Sequence, residues 1–267
     1  MNGKQRIVIK VGTGTLGVNG HPSDSIFFDI AAQIAEIKTE GHEVILVSSG
    51  AVDAGKSWLT LLRKDFSMLD PGELSSIGTS ELLERWKRAF LPHGLVIATG
   101  WLTHSIWNHP NQRENLRRSG GKLSGLYTVP VVNENDLISR SELRNMKRGE
   151  GDNDYLGRRV AILLKADGYL ILTEFGGIYN HGDPGHPSAR RYLELDGRTT
   201  FRLGAKNGGK SKNGTGGPQS KINQVSFCFR RGMRAAIAGM SEERVIVRFT
   251  HKELVGTTIT SRTILAK

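Results

Sequence analysis

Apolar residues along this chain fall into short continuous runs, and between the runs they recur every three or four positions. Arg6-Ile7-Val8-Ile9-Lys10-Val11 reads as a buried strand closed by Gly12-Thr13-Gly14-Thr15. Ile26, Ile30, Ile34 and Ile37 then follow helical spacing from a Ser23/Asp24 cap, and Gly41 stops that helix. Val44–Val47 is a second strand, ending in Ser48-Ser49-Gly50-Ala51. Asp70-Pro71-Gly72-Glu73 has the proline and capping-box acid of a helix start, with Leu74, Ile77, Leu83, Trp86 and Phe90 on its apolar face. Leu95–Ala98 and Val129–Val132 read as strands, with a basic helical segment over Gln112–Ser119 between them.

Asp152-Asn153-Asp154 opens a helix carrying Leu156, Val160, Leu163 and Leu164, and Tyr169–Leu172 follows as a strand. Residues 176–220 are glycine-rich and read as an excursion containing a short hairpin. Ile222, Val225 and Phe229 mark a helix ended by Gly232; strands over Ala235–Ala238, Val245–Phe249 and Thr257–Thr260 complete the pattern. Strands alternating with helices predict an α/β fold, a three-layer αβα sandwich around a central, mostly parallel sheet. With neither an internal repeat nor a linker, residues 1–267 read as a single domain.

Composition narrows the setting. A content of 37% hydrophobic and 24% charged residues fits a folded globule and excludes a disordered chain. The single cysteine, Cys228, excludes an internal disulfide framework and suits a reducing compartment. The first residues lack the apolar core of a signal peptide, and no run approaches the roughly 20 apolar residues of a membrane span. The expectation is a cytoplasmic protein with no membrane partner, in which the Asn213-Gly214-Thr215 sequon is a chance match. The 37 Lys+Arg against 26 Asp+Glu give +11, a balance that suits nucleic acid or small polyanions. The basic pairs Arg117-Arg118, Arg158-Arg159, Arg190-Arg191 and Arg230-Arg231 are scattered, and no aromatic-rich nucleic-acid motif accompanies them. Nucleic acid is therefore not the expected partner.

Two motifs match by letters and fail by context. Gly12-Thr13-Gly14-Thr15-Leu16-Gly17 fits G-x-G-x-x-G, but Val18-Asn19-Gly20-His21-Pro22 follows where the dinucleotide fingerprint needs a helix. Gly204-Ala205-Lys206-Asn207-Gly208-Gly209-Lys210-Ser211 fits the P-loop pattern, but Lys212–Pro218 is too rich in glycine to continue as a helix.

The chemistry sits in segments that fit together. Lys10 ends the first strand beside Gly12, Thr13 and Gly14, whose backbone N–H groups are placed to cradle phosphate. Ser48-Ser49-Gly50-Ala51 sets hydroxyls and amides at a strand-to-helix turn, where an ordinary cap is the plainer reading. Asn133-Glu134-Asn135-Asp136 and Gly151-Asp152-Asn153-Asp154 are acid-rich clusters at a strand end and a helix start; each suits an ammonium-bearing ligand, or plain turn chemistry.

Taken in order, Lys10-Val11-Gly12-Thr13, Val47–Gly55, Asn133–Asp136, Gly151–Asp154 and Thr215-Gly216-Gly217 with Lys221 resemble the glutamate 5-kinase branch of the amino acid kinase family over nearly the whole chain. The resemblance implies ATP-dependent phosphorylation of the γ-carboxylate of L-glutamate, as in the first step of proline biosynthesis. It implies ATP with nucleotide-bound Mg²⁺ as cofactors, no metal site of the protein's own, and a homo-oligomer. The RNA-modification-type module that many such enzymes carry after this domain is expected to be lacking. By resemblance, Lys10 and Lys221 flank the transferring phosphoryl group and Asp154 orients them. Ser49, Gly50, Ala51, Asp136 and Asn153 bind glutamate, while Lys10, Gly12, Thr13, Thr173, Glu174, Thr215, Gly216, Gly217 and Lys221 line the ATP site.

Three residues depart from the family pattern: Glu174 stands where Asp is usual, Pro218 where Met is usual, and Thr79 where Gln is common. Two alternatives stay open at this point. One is a family member acting on another carboxylate or phosphate acceptor; the other is a regulatory or nucleic-acid-binding protein on this scaffold.

Overall fold

The computed structural model describes residues 3–18, 21–138, 153–181, 184–198 and 217–266. Its strands are β1 (Arg6–Val11), the small ribbon β2 (Gly17–Val18) and β3 (His21–Pro22), β4 (Glu43–Ser48), β5 (Val96–Leu102) and β6 (Thr128–Glu134). They continue with β7 (Gly168–Leu172), β8 (Tyr192–Asp196), β9 (Arg234–Ala238), β10 (Thr257–Thr260) and β11 (Ile264–Leu265). The α-helices are α1 (Asp24–Thr39), α2 (Ala51–Leu61), α3 (Pro71–Phe90), α4 (Pro110–Ser124), α5 (Asn153–Leu163), α6 (Pro218–Phe229) and α7 (Val245–Thr250).

One sheet, in the order β11-β8-β10-β9-β7-β1-β4-β6-β5, runs through the molecule. From β5 to β9 every neighbouring pair is parallel; β10 is antiparallel to β9, and β11 to β8. The parallel half is buried on both faces, which is why its strands read as continuous apolar runs. Alternation along each strand splits them between two cores. Ile7, Ile9, Val11 and Leu46 join the core under α1, α2, α3 and α7. Val8, Ile45, Val47, Tyr169 and Ile171 join the core under α5 and α6. Lys10 shares the face of Val8, so β1 turns its one interior cation toward α5 and α6.

The reverse hairpin of α2 and α3 frames the edge where β4 ends. The capping box forms: Asp70 Oδ1 accepts from Glu73 N (3.0 Å), and Glu73 Oε2 accepts from Asp70 N (2.8 Å). Where the helices cross, a Cβ on Gly78 would lie 1.9 Å from the Ala51 carbonyl oxygen, and one on Gly55 would lie 2.2 Å from that of Leu74. Glycine at both positions lets the two backbones touch.

One sequence expectation needs correction. Val245–Phe249 is not a strand; it lies in helix α7, entered from Arg244 in the left-handed region (φ 50°) and held to α1 by Ile246 N–H donating to Gln33 Oε1 (2.9 Å). An apolar run of that length carries no period able to separate strand from helix. The glycine-rich excursion holds a short hairpin, with Asn180 N–H donating to the Arg190 carbonyl (3.0 Å) and Tyr192 N–H to the Ile178 carbonyl (2.8 Å). Tyr192–Asp196 then enters the main sheet as β8, parallel to β10 and with Leu195 buried. The basic segment between β5 and β6 is helical, and longer than predicted, beginning at Pro110.

Candidate active site

The C-terminal ends of the parallel strands bring Lys10, Ser48, Asn133, Leu172 and Ala238 to one edge of the sheet, the edge where open α/β sheets bind ligands. Helices α2 and α5 begin at this edge, and the first turn of α6 reaches it through Lys221. Their N-terminal N–H groups and dipoles make it favourable for anions.

At its centre lies the carboxylate of Asp154, in the first turn of α5 and fully buried. Lys10 Nζ stands 2.7 Å from Asp154 Oδ1, and Lys221 Nζ stands 2.7 Å from Oδ2. The Lys10 side chain is 4% exposed and that of Lys221 15%, so the Asp154 carboxylate meets both ammonium groups out of water. A charge so placed is tolerable only when paired. Pro218 at the first position of α6 sets the helix that delivers Lys221, as a proline without an N–H can.

The predicted phosphate cradle is partly committed. Gly12 N–H donates to the Leu172 carbonyl (3.0 Å), and Thr15 Oγ1 donates to the same oxygen (3.0 Å). No described backbone carbonyl takes up the amides of Thr13 and Gly14. The Glu174 carboxylate lies against Gly14, where a Cβ would meet Glu174 Oε2 at 2.4 Å. Thr173 is buried, its N–H donating to the Ala238 carbonyl (2.8 Å). Gly217 caps α6 with extended backbone, while Thr215 and Gly216 lie outside the described residues, as do Gly151, Asp152 and residues 204–211.

On the other side of the edge, Ser48 and Ser49 look opposite ways. Ser48 Oγ accepts from Trp86 Nε1 (3.0 Å) in the α1–α3 core, whereas Ser49 Oγ accepts from Asn153 Nδ2 (2.9 Å). Gly50 takes φ 101°, a left-handed conformation that suits glycine and turns the chain into α2 at the buried Ala51. Asp136 sits in a cavity of about 190 Å³ lined by Ser75, Thr79, Trp101 and Glu134. Burial raises its carboxyl above the ordinary aspartate range, the hydrogen bond from Ser75 Oγ (2.5 Å) opposes this, and the Glu134 charge adds to it.

One part of the site lies outside the sequence motifs. Tyr169 Oη donates to the Asp154 main-chain carbonyl (2.7 Å), and a Cβ on Gly157 would meet that hydroxyl at 2.6 Å, so β7 fixes the start of α5. A tyrosine within an aliphatic strand is the available clue, since a buried hydroxyl needs a partner.

Comparison with known proteins gives concordant results. A family model described as the amino acid kinase family matches residues 5–239. The chain is 33% identical over 264 residues to a glutamate 5-kinase of Listeria monocytogenes serotype 4a (strain HCC23), covering 98% of this chain and 95% of that protein. It is 35% identical over 260 residues to a glutamate 5-kinase of Dehalococcoides mccartyi, covering 96% of this chain and 69% of the relative. Among solved structures, carbamate kinase from Giardia lamblia bound to AMP-PNP matches with TM-score 0.66 and 13% identity, covering 98% of this chain and 100% of that one. UMP kinase from Bacillus anthracis matches with TM-score 0.62 and 18% identity, covering 98% and 99%. These two likenesses speak for the fold.

Proposed function

The chain belongs to the amino acid kinase family, and from that premise we propose that it transfers the γ-phosphoryl group of ATP to the γ-carboxylate of L-glutamate, giving γ-glutamyl phosphate and ADP. The observation that carries the reading is the buried convergence of Lys10 and Lys221 on Asp154. Full-length likeness to glutamate 5-kinases supports the choice of acceptor. Residues 1–267 are taken to act as one domain.

The chemistry needs no general base. A γ-carboxylate with an ordinary pKa of about 4.3 is already the nucleophile at neutral pH. One carboxylate oxygen forms a bond to phosphorus as the bond from phosphorus to the leaving oxygen of ADP breaks. The obstacle is repulsion between the carboxylate and a polyphosphate, followed by charge spreading over the phosphoryl oxygens. Positioning and fixed cations therefore supply most of the catalysis. Lys10 and Lys221 are placed to take that charge, and Asp154 holds both ammonium groups without moving. The amides of Thr13 and Gly14, together with Thr173, Glu174 and Gly217, are assigned to the nucleotide side.

Both oxygens of Asp154 are engaged by lysines. Magnesium is accordingly assigned to the nucleotide, where it neutralises phosphate charge and keeps much of its water shell. On the acceptor side, Ser49, Asn153 and the turn at Gly50 and Ala51 are assigned to the substrate carboxylates, and Asp136 to the α-ammonium. The pairing with Asp136 would select an amino acid over a plain dicarboxylate.

The test is ADP release measured with and without L-glutamate and Mg²⁺. Release should require both, and Lys221→Ala should lower kcat by about 10²–10³-fold, as loss of one donor to a developing anion does. ADP formation unchanged by omitting glutamate would reject the proposal.

A further inference from the structure

The edge of the sheet opposite the proposed catalytic edge carries a broad cavity of about 850 Å³ that this reaction does not use. It opens where α6 ends and β9 begins, and its wall includes Arg198, Arg230 and Arg234 over a floor of Phe229, Met233 and Ile259. Because β10 runs antiparallel to β9, the end of β10 reaches the same place and adds the hydroxyl-bearing Thr260 and Ser261 to the wall. Among the described residues no carboxylate lines it.

The arginines there are not paired elsewhere. Among the described residues no ion pair engages Arg198, Arg230 or Arg234. Arg230 donates to the Gly197 carbonyl (2.9 Å), and Arg234 donates to the main-chain carbonyl of Glu253. The nearby acids are already used: Glu253 Oε2 accepts from Arg248 Nε (2.9 Å), Asp167 Oδ2 from Arg6 N–H (2.7 Å), and Asp196 Oδ1 from Arg198 N–H (2.9 Å).

Arg234 is the most exposing case. Its Nε is buried without a hydrogen-bond partner, and its guanidinium lies 5.3 Å from the centre of the Phe249 ring. Burial alone pushes its pKa down, with no acid offsetting the effect. A guanidinium does not deprotonate to escape, so three like charges share one wall, and among the described residues none of them has an ion-pair partner. Cavities of this size, with an apolar floor and a few convergent polar groups, suit small organic ligands. The near approach of Gly197, where a Cβ would fall 2.3 Å from Ile259 and 2.6 Å from Phe229, keeps that floor closed.

We propose that this cavity binds a small organic phosphate or carboxylate with an apolar body, the anion held by Arg198, Arg230 and Arg234 and the body lying on Phe229, Met233 and Ile259. Guanidinium groups pair with either oxyanion through fork-like donors. The site lies apart from Lys10, Asp154 and Lys221, so ligand there and substrates at the catalytic edge can be held together.

Isothermal titration of the whole chain with phenyl phosphate tests this, alone and with a non-hydrolysable ATP analogue plus glutamate filling the catalytic edge. The expected result is one site per chain that persists with the catalytic edge filled and weakens at least about tenfold in Arg198→Gln/Arg230→Gln. Arg198→Gln alone, whose side chain makes no described hydrogen bond, should weaken it in the same direction with melting temperature unchanged. Citrate should compete and neutral benzyl alcohol should not. The proposal is overturned by no heat up to about 10 mM, by displacement when the catalytic edge is filled, by equal affinity in the arginine variants, or by benzyl alcohol binding as well as the phosphate. The readout is heat and not turnover, so its failure leaves the proposed reaction standing, and the converse holds too.

Discussion

Asp154, fully buried, and Asp136, half-buried, are acids of the same edge, and they answer to different physics. Asp154 has two ammonium partners. Asparagine there would leave two buried cations facing a neutral amide, and losing one side of a buried ion pair costs on the order of 3 kcal/mol. Asp154→Asn should therefore lower both the melting temperature and kcat. Asp136 has a neighbouring charge of its own sign, Glu134, and burial as the larger cause of its raised pKa. An acid whose folded pKa lies above its unfolded value costs stability once pH rises past the unfolded value. Asp136→Asn should thus raise the melting temperature of the free protein at neutral pH while raising KM for glutamate. In the unsubstituted protein KM for glutamate should climb on acidification earlier than an ordinary aspartate would dictate, because the carboxylate that meets the ammonium is lost sooner. A fall in melting temperature for Asp136→Asn would contradict the burial argument. Cys228 behaves as core: burial pushes its thiol up to about 12, so iodoacetamide at pH 8 should label it only after unfolding.

At the scale of elements, the α2–α3 crossing is the joint that locates the Ser49–Ala51 turn. Alanine at Gly78 would drive a methyl into the Ala51 carbonyl. The intrinsic helix preference of alanine is worth less than 1 kcal/mol, and overpacking costs about 1–3 kcal/mol, so Gly78→Ala should destabilise on denaturant titration and reduce activity together. The crossing could not be read in the sequence, because a glycine inside a helix pattern reads equally as a weak point or a close approach. The capping box at Asp70 was legible, since its two partners sit three residues apart and the bonds are local. The strand expectation at Val245–Phe249 failed for the reverse reason: what decides that segment is Gln33, far away in the chain, receiving the Ile246 N–H. The short hairpin in the excursion was legible because its pairing is local, Tyr179 opposite Arg191, whereas the entry of Tyr192–Asp196 into the main sheet was not, because its partner is β10, more than sixty residues on.

For the molecule as a whole, alternation of strand and helix was enough to specify a sandwiched, mostly parallel sheet, because burial on both faces writes itself as continuous apolar runs. The placement of Lys10 on the α5–α6 face also follows from alternation with Val8. That Lys221 reaches the same carboxylate does not follow from any local pattern; the sequence suggested it through resemblance alone. The excess of 37 basic over 26 acidic residues is a global quantity with a global consequence. Self-repulsion should make the protein least stable at low ionic strength, with melting temperature rising as sodium chloride is brought to about 0.15 M. A fall over that range would show that local ion pairs outweigh the net charge.

The two lysines on Asp154 come from opposite ends of the chain, with the aspartate itself past the midpoint. An incomplete chain ending before α6 would carry the first lysine and the aspartate but not the second. On the proposed roles, phosphoryl transfer would require a polypeptide made nearly to its end, and a half-built copy would have no means of squandering nucleotide.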